Sequence, residues 1–391
     1  MVEFVLFEQF EAAMAAAGQV MDFGRRTGAG LRLIRPDRLE SADLAAWNDL
    51  AAAAQTPSAY AQPWFLLPAL RHCDPAQGAR LAVVEQADGS WAGVLPIARS
   101  ATHGRSPLPN WHSWRHPNQF VSAPLVRTGC AVQFWGSLLE GLDERGGGEL
   151  ALCLADLPLD DPASDALFTL CAEENRTVVV DRRFERAALR GSGSAEPAPK
   201  LRRRLASLLR KLERERGAPQ FTLIRDRAGI AAAVEQFLAL EHSGWKGSCG
   251  SALACAPGTM ALFADIMREG GQAGRVELAS LRAGGEVLAF STILVGEGRK
   301  YGFKMAYDER AAAYAPGLLL LNWITRSHQD SAAGLDFDSC SAPDQQPVSR
   351  LWPDRCAFAD CRIALGGKVR QGALRAVMAG EEAYSWLKRL A

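Results

Sequence analysis

The chain has 391 residues, 48% hydrophobic and 23% charged, so it can bury a sizeable core and is not a disordered protein. Forty-four Lys and Arg balance forty-four Asp and Glu, which argues against a broad basic field for nucleic acid. The apolar stretches, such as Ala315 to Ile324, are too short and broken to span a bilayer, and Glu3, Glu8 and Glu11 interrupt the start where a secretory leader would run unbroken. Nine cysteines, at 73, 130, 153, 171, 249, 255, 340, 356 and 361, form no CxxC and leave an odd one over, as expected for reduced thiols in a cytoplasmic protein.

In chain order, helical patterns are expected over 42–54 and 63–71. A hairpin follows, with strands at Arg80 to Gln86 and Trp91 to Ala98 around the Asp88-Gly89 turn. A strand at 117–126, a helix at 130–144 and a short strand at 149–154 complete the first half. The Gly/Ser/Pro-rich run RGSGSAEPAP at 190–199 reads as a linker. The second half repeats the order. Its helices fall at 228–243 and 258–270, and its hairpin runs from Arg275 to Val295 around Gly284-Gly285. Then come a strand at 299–307, a helix at 317–332 and a strand at 334–338. Each half therefore reads β-α-α-β-β-β-α-β, with Arg80 and Arg275, and Gly89 and Gly284, at one shared offset. The expected fold is α/β with mixed sheets, divided into residues 1–189, a linker at 190–199 and residues 200–391.

No P-loop, dinucleotide-binding glycine pattern or GxSxG elbow is present. His112 and His116 are four apart, but Pro107, Pro109 and Pro117 work against a helix there, so no metal site is expected. The segment KLRRRLASLLRKLERER (200–216) carries Leu201, Leu205, Leu208, Leu209 and Leu212 at helical spacing. Its basic face is either simply solvated or meets a membrane headgroup, an anionic glycan or tRNA.

Tyr314-Ala315-Pro316-Gly317 ends a polar loop and opens an apolar helix at Leu318. Proline suits a helix first turn, and glycine lets a phosphate approach the free N–H groups there. Asp336 and Asp338 share one face of a short strand, where one acid can serve as a base and the other support it. Lys304, near Tyr307, suits an acceptor carboxylate or a donor phosphate. The rings and amides of NWHSWRHPNQF (110–120), with Trp111, Trp114 and His116, suit a sugar by stacking and hydrogen bonding.

The pieces FLALEHSGWKG (237–247), the second hairpin, YGFKMAYDERAAAYAPGLLLLNWI (301–324), LDFDSC (335–340) and LWPDR (351–355) together resemble the GNAT-type acyltransferases of the BioF2-like and CelD-like group, related to the FemAB peptidyltransferases. The resemblance spans about 200–365. The first half fits more weakly, through WRHPNQFVSAPLV (114–126) and its matching element order.

The resemblance implies two GNAT-like domains in tandem and transfer of an acyl group from acetyl-CoA or another acyl-CoA, without a metal. The acceptor would be an amine or hydroxyl on a small molecule or glycan of envelope or exopolysaccharide synthesis. It implies a donor site at Arg310, Tyr314, Pro316, Gly317 and Leu318, although the usual Arg/Gln-x-x-Gly-x-Gly/Ala loop is replaced by a Pro-Gly form. Catalysis would fall to Asp338, Asp336, Lys304 and Tyr307, and the acceptor to His242, Trp245, Lys246, Trp111, Trp114 and His116. The rival readings are a FemAB-like transferase using aminoacyl-tRNA and a glycan-binding scaffold without turnover.

Overall fold

The computed structural model describes residues 30–390, apart from 57, 146, 192–195, 332–333 and 344–345. The N-terminal stretch read for a leader, and the middle of the expected linker, lie outside the described residues.

The first half runs β1 (Gly30–Ile34), α1 (Ser41–Ala52), α2 (Pro63–Cys73), β2 (Arg80–Glu85), β3 (Trp91–Ser100), β4 (Asn110–Ser113), β5 (Leu125–Val126), α3 (Ala131–Glu144), β6 (Ala151–Pro158), α4 (Pro162–Glu173) and β7 (Val178–Leu189). The second half runs α5 (Pro199–Arg216), β8 (Gln220–Ile224), α6 (Arg227–Ser243), α7 (Trp245–Ser248), α8 (Pro257–Gln272), β9 (Val276–Ala283), β10 (Glu286–Val295), β11 (Arg299–Tyr307), α9 (Pro316–Gln329), β12 (Asp336–Asp338), α10 (Gln346–Leu351), β13 (Asp354–Ala364) and α11 (Lys368–Leu390). The repeated order is present, in a mixed α/β fold. One expectation fails. Residues 117–124 form no strand, and the third strand of the first half is β4, further upstream. Pro117 and Pro124 each remove a ladder donor, so this apolar run crosses the core as extended chain.

The sheet is continuous, in the order β1-β2-β3-β4-β6-β13-β7-β12-β11-β10-β9-β8, with β5 on β3. Its centre exchanges strands between the halves. β13, from the second half, pairs antiparallel with β6, while β7, from the first, pairs antiparallel with β12. β7 and β13 pair with each other from Val178↔Ile363 to Ala188↔Asp354. The equivalent helices α2 and α8 also pack together, with Arg71 and His72 on Asp265 at 3.2 and 2.7 Å. A Cβ on Gly258 would lie 2.8 Å from the His72 carbonyl oxygen, so the backbones nearly touch there. One apolar core accordingly spans both halves and includes Tyr60, Phe65 and Trp114 with Phe237, Phe263, Tyr301 and Phe303.

α5 forms where its leucine periodicity places it. Leu205 and Leu212 are buried against α9, and Arg202, Arg203, Arg204, Arg210 and Arg214 face solvent. Among the described residues no single helix is long and apolar enough to cross a membrane.

Candidate active site at the end of strand β11

β11 and β12 are parallel neighbours only from Arg299↔Asp336 to Tyr301↔Asp338. At Gly302 a Cβ would sit 2.6 Å from the Ser339 carbonyl oxygen, so glycine permits a last backbone contact before the strands part. β11 continues to Tyr307 with β10 alone as its strand neighbour. The register slips at Thr292/Ile293, which pair with Lys304 and Gly302, leaving Phe303 as the extra residue of a bulge. Thr292 Oγ1 stitches this bulge, accepting from the Lys304 N–H at 3.0 Å and donating to the Lys304 carbonyl at 3.2 Å. A bulge re-aims side chains, here at the point where the sheet opens.

Lys304 therefore leaves β11 toward the first half. Its Nζ donates to Asn118 Oδ1 at 2.6 Å and lies 5.2 and 5.7 Å from the ring centres of Phe120 and Phe303. Among the described residues it has no carboxylate partner. Burial, then the charge of Lys246, lower its pKa to about 8 against a weaker pull upward from Glu241. Lys246 is itself paired, donating to Glu241 at 2.8 Å and to the Met305 carbonyl at 3.0 Å. The other Glu241 oxygen accepts from the Leu253 N–H at 2.8 Å.

The expected donor loop borders the same opening. Residues Glu309–Tyr314 make a 3₁₀ turn, and Ala315 then adopts a left-handed conformation, φ 48° and ψ 57°, before α9 begins at Pro316. An alanine held there costs about 1–3 kcal/mol, a strain that points to a reason for the bend. Leu318 and Leu319 N–H groups donate to the Ala315 carbonyl, and Pro316 has none to give. The Gly317 N–H is left without a partner among the described residues, at the positive end of a helix. A Cβ on Gly317 would lie 3.5 Å from Met305 Sδ and 3.6 Å from the Tyr307 ring, filling the notch beside β11. That notch and free N–H fit the phosphate end of a nucleotide-linked donor. Tyr307 is 37% exposed at its rim.

The remaining expected residues divide. Trp245 is 56% exposed, with its N–H bound to Glu309 at 2.6 Å, so α7 borders the donor turn. Arg310 is held by Asp308, Nη2 to Oδ2 at 2.9 Å, and the Tyr314 hydroxyl donates to Glu215 on α5 at 3.1 Å. Leu318 packs into the second-half core. Trp114 and His116 join the rings around Lys304 at the seam. His242 is apart from these, its Nδ1 3.8 Å from Cys255 Sγ. Trp111 also lies elsewhere, in the first-half core under Arg99.

The two aspartates require a correction. Asp338, expected as the base, is 1% exposed and held in a two-pronged ion pair by Arg186 of β7, at 2.7 and 2.6 Å. It also accepts from the Cys340 N–H at 2.9 Å. Asp336 accepts from Arg190 at 2.9 Å and the Gly191 N–H at 3.0 Å. Burial would raise the Asp336 pKa, but the Gly191 N–H and the Arg190 and Arg299 guanidinium groups outweigh it and hold it below its ordinary value. An arginine from the exchanged strand or its end stands on each acid. Both hold the centre of the sheet. Asn118 and Phe120 lie in the 110–120 loop expected to meet a sugar, but their approach to Lys304, and that of Arg186 to Asp338, was not read, because each comes from the other half of the chain.

Among the described residues no group of three or more His, Cys, Asp or Glu side chains could hold a metal ion. Residues 199–338 match the family described as acetyltransferase (GNAT) domain. The first half repeats that domain's element order and shares its sheet. Of solved structures, a conserved protein of unknown function from Bacteroides thetaiotaomicron is similar at TM-score 0.52 and 11% identity, over 82% of this chain and 96% of that one. The C-terminal domain of a putative lysylphosphatidylglycerol synthetase from Agrobacterium fabrum is similar at TM-score 0.50 and 14% identity, over 85% and 95%. L-PGS from Bacillus licheniformis is similar at TM-score 0.50 and 12% identity, over 88% and 97%. No curated protein matches the chain.

Proposed function

We propose that the chain is an acyl-CoA-dependent acyltransferase working at the C-terminal end of β11. The acetyltransferase-domain match over 199–338 supports the class. The observation that carries the reading is the parting of β11 from β12 beside a helix start where, among the described residues, the Gly317 N–H has no partner and Lys304 no counter-ion. In this reading, residues 200–391 bind the donor and residues 1–189 form the acceptor side. The acceptor is an amine or hydroxyl of a sugar-containing or envelope-related molecule in the cytoplasm, as in the BioF2-like group.

Coenzyme A would present the acyl group as a thioester. The Gly317 N–H and the α9 dipole receive the phosphate end. Lys304 orients the acceptor so that its nitrogen or oxygen lone pair attacks the carbonyl carbon while the carbon–sulfur bond breaks. Tyr307 gives a proton to the departing sulfur, and the acceptor's proton leaves to water. Calorimetry with acetyl-CoA, followed by mass-spectrometric screening of acyl transfer, tests the reading. Absence of both binding and thioester turnover would refute it.

One observation favours an aminoacyl-tRNA donor instead. α5 packs on the 309–314 turn through Glu215 and Tyr314, and Arg204 and Arg210 have no acidic partner among the described residues. Protection of the fold against heat by charged tRNA, and not by acetyl-CoA, would select that donor.

A further inference from the structure

Two buried side chains of the first half have fixed orientations and one polar atom each without a partner among the described residues: His116, which shares Asn118 with Lys304, and Gln62, one turn before Phe65. His116 is 5% exposed, stacked on Phe65 at 6.2 Å and tilted against Trp114 at 5.7 Å. Its Nδ1 accepts from the Asn118 N–H at 3.3 Å, so in the neutral ring the proton sits on Nε2. That Nε2–H has no acceptor among the described residues. Gln62, 4% exposed, caps the start of α2, and its Oε1 accepts from the Trp64 indole at 2.8 Å. This fixes the amide, and the buried Nε2 is left without an acceptor among the described residues. Phe65 links the sites. It follows Gln62 on α2, stacks on His116, and meets Phe303, the neighbour of Lys304, at 5.9 Å. Buried donors are almost always satisfied, so two locked donors without acceptors, one of them sharing Asn118 with an ammonium that has no carboxylate partner among the described residues, ask for an oxygen ligand.

We infer that the seam between the halves holds a monoanionic carboxylate, gripped by Lys304 Nζ, His116 Nε2–H and Gln62 Nε2–H. A planar carboxylate offers two oxygens to three donors. A phosphate dianion would bring a second charge into a ring-lined seam where Lys304 supplies only one. Gln119 Oε1, also buried and unpaired, suits an N–H or O–H of the same ligand. As a statement about the acceptor, the inference rests on the acyl-transfer reading and makes that acceptor a carboxylic acid. As a binding site it needs no turnover, so its failure leaves that reading standing.

The probes are acetate and inorganic phosphate, titrated into the full chain with lysine and histidine labelled for NMR. The groups acting on Lys304 are Lys246, Glu241 and His116. Saturable acetate binding should raise the Lys304 pKa from about 8 toward its ordinary value, and His116 should show the Nε2–H tautomer at neutral pH. Gln62→Leu and His116→Phe should each weaken acetate about tenfold. His116→Gln, which keeps an N–H donor, should recover part of that loss. An unmoved Lys304 at saturating acetate would overturn the inference, leaving a water-filled seam. Phosphate binding in preference to acetate, or an Nδ1–H tautomer, would overturn it equally.

Discussion

The two halves solve the same geometric problem with opposite outcomes. In each, a strand parts from its parallel neighbour beside the start of a helix. In the first half, Thr128 ties the loop before α3 to the Ala53 carbonyl through both its N–H and its hydroxyl, each at 3.0 Å. Arg127 reaches Asp49 at 2.5 Å, and Gln86 donates to Cys130 Sγ at 3.1 Å. The Ala155 N–H donates to Ser113 Oγ at 3.1 Å, closing the gap between β4 and β6. At both helix starts the N-cap side chain makes no capping hydrogen bond, but in the second half the gap beyond Gly302 is met by a loop of the first half. The repeated order thus carries one opening sealed by its own side chains and one met by the other half of the chain.

The largest expected effect breaks the joint on which the comparison depends. Arg186→Met leaves Asp338 buried without its ion-pair partner, and should cost about 3–5 kcal/mol, read as a lower denaturation midpoint. Full stability would mean that the pair does not hold the halves together.

Lys304→Met should lower kcat/KM about 10²-fold or more while the fold and donor affinity persist. Because Lys304 acts as an ammonium, activity should fall as pH rises through about 8. The fall in kcat/KM should begin at lower pH than that in kcat, since bound acceptor stabilises the charge. A rate that rises through pH 8 would make Lys304 a base instead.

His116 sharpens the comparison from the acid side. Burial, then the Lys304 charge, hold its pKa at about 4, below the ordinary 6.5. The folded state therefore disfavours the protonated ring. Stability is fully present above pH 6.5 and is lost as pH falls toward 4, by up to about 3 kcal/mol. Acid denaturation curves of His116→Phe should lack this component. Superimposable curves for the two proteins would remove His116 as its source.

The smallest effect separates the two helix starts. Gly317→Val should weaken acyl-CoA binding about tenfold with little change in melting temperature, because a branched side chain enters the notch beside Met305 and Tyr307. Cys130→Ser, at the sealed start of α3, should leave affinity unchanged by calorimetry. Equal losses in both would place donor contacts in both halves.

Much of this was legible from local pattern. The Asp88-Gly89 and Gly284-Gly285 turns fixed both hairpins, Pro-Gly marked the start of α9, and leucine spacing marked α5. The long central strands were not read, since DRRFER within β7 looks like solvated loop. Its Arg186 is buried only because Asp338, 152 residues away, receives it. The aspartates showed the same limit. Their shared face was visible, but an acid's role depends on its partners, and these come from another strand. Lys304 and the amide- and ring-rich 110–120 loop were each legible as candidates, whereas the contact of Asn118 with Lys304 carries no signal without the fold.

The exchange of β7 and β13 also imposes an order on synthesis. When residue 158 leaves the ribosome, the edge of β6 stands ready, but the strand that covers it does not exist until residues 354–364 are made. At about 5–20 residues per second, roughly 10–40 s pass with that edge unpaired. Nascent chains arrested before residue 354 should stay open to protease across β6 and β7, and chains arrested well past residue 364 should close. The first half is thus begun before the second and finished only with it, its folding timed by the synthesis of residues 354–364.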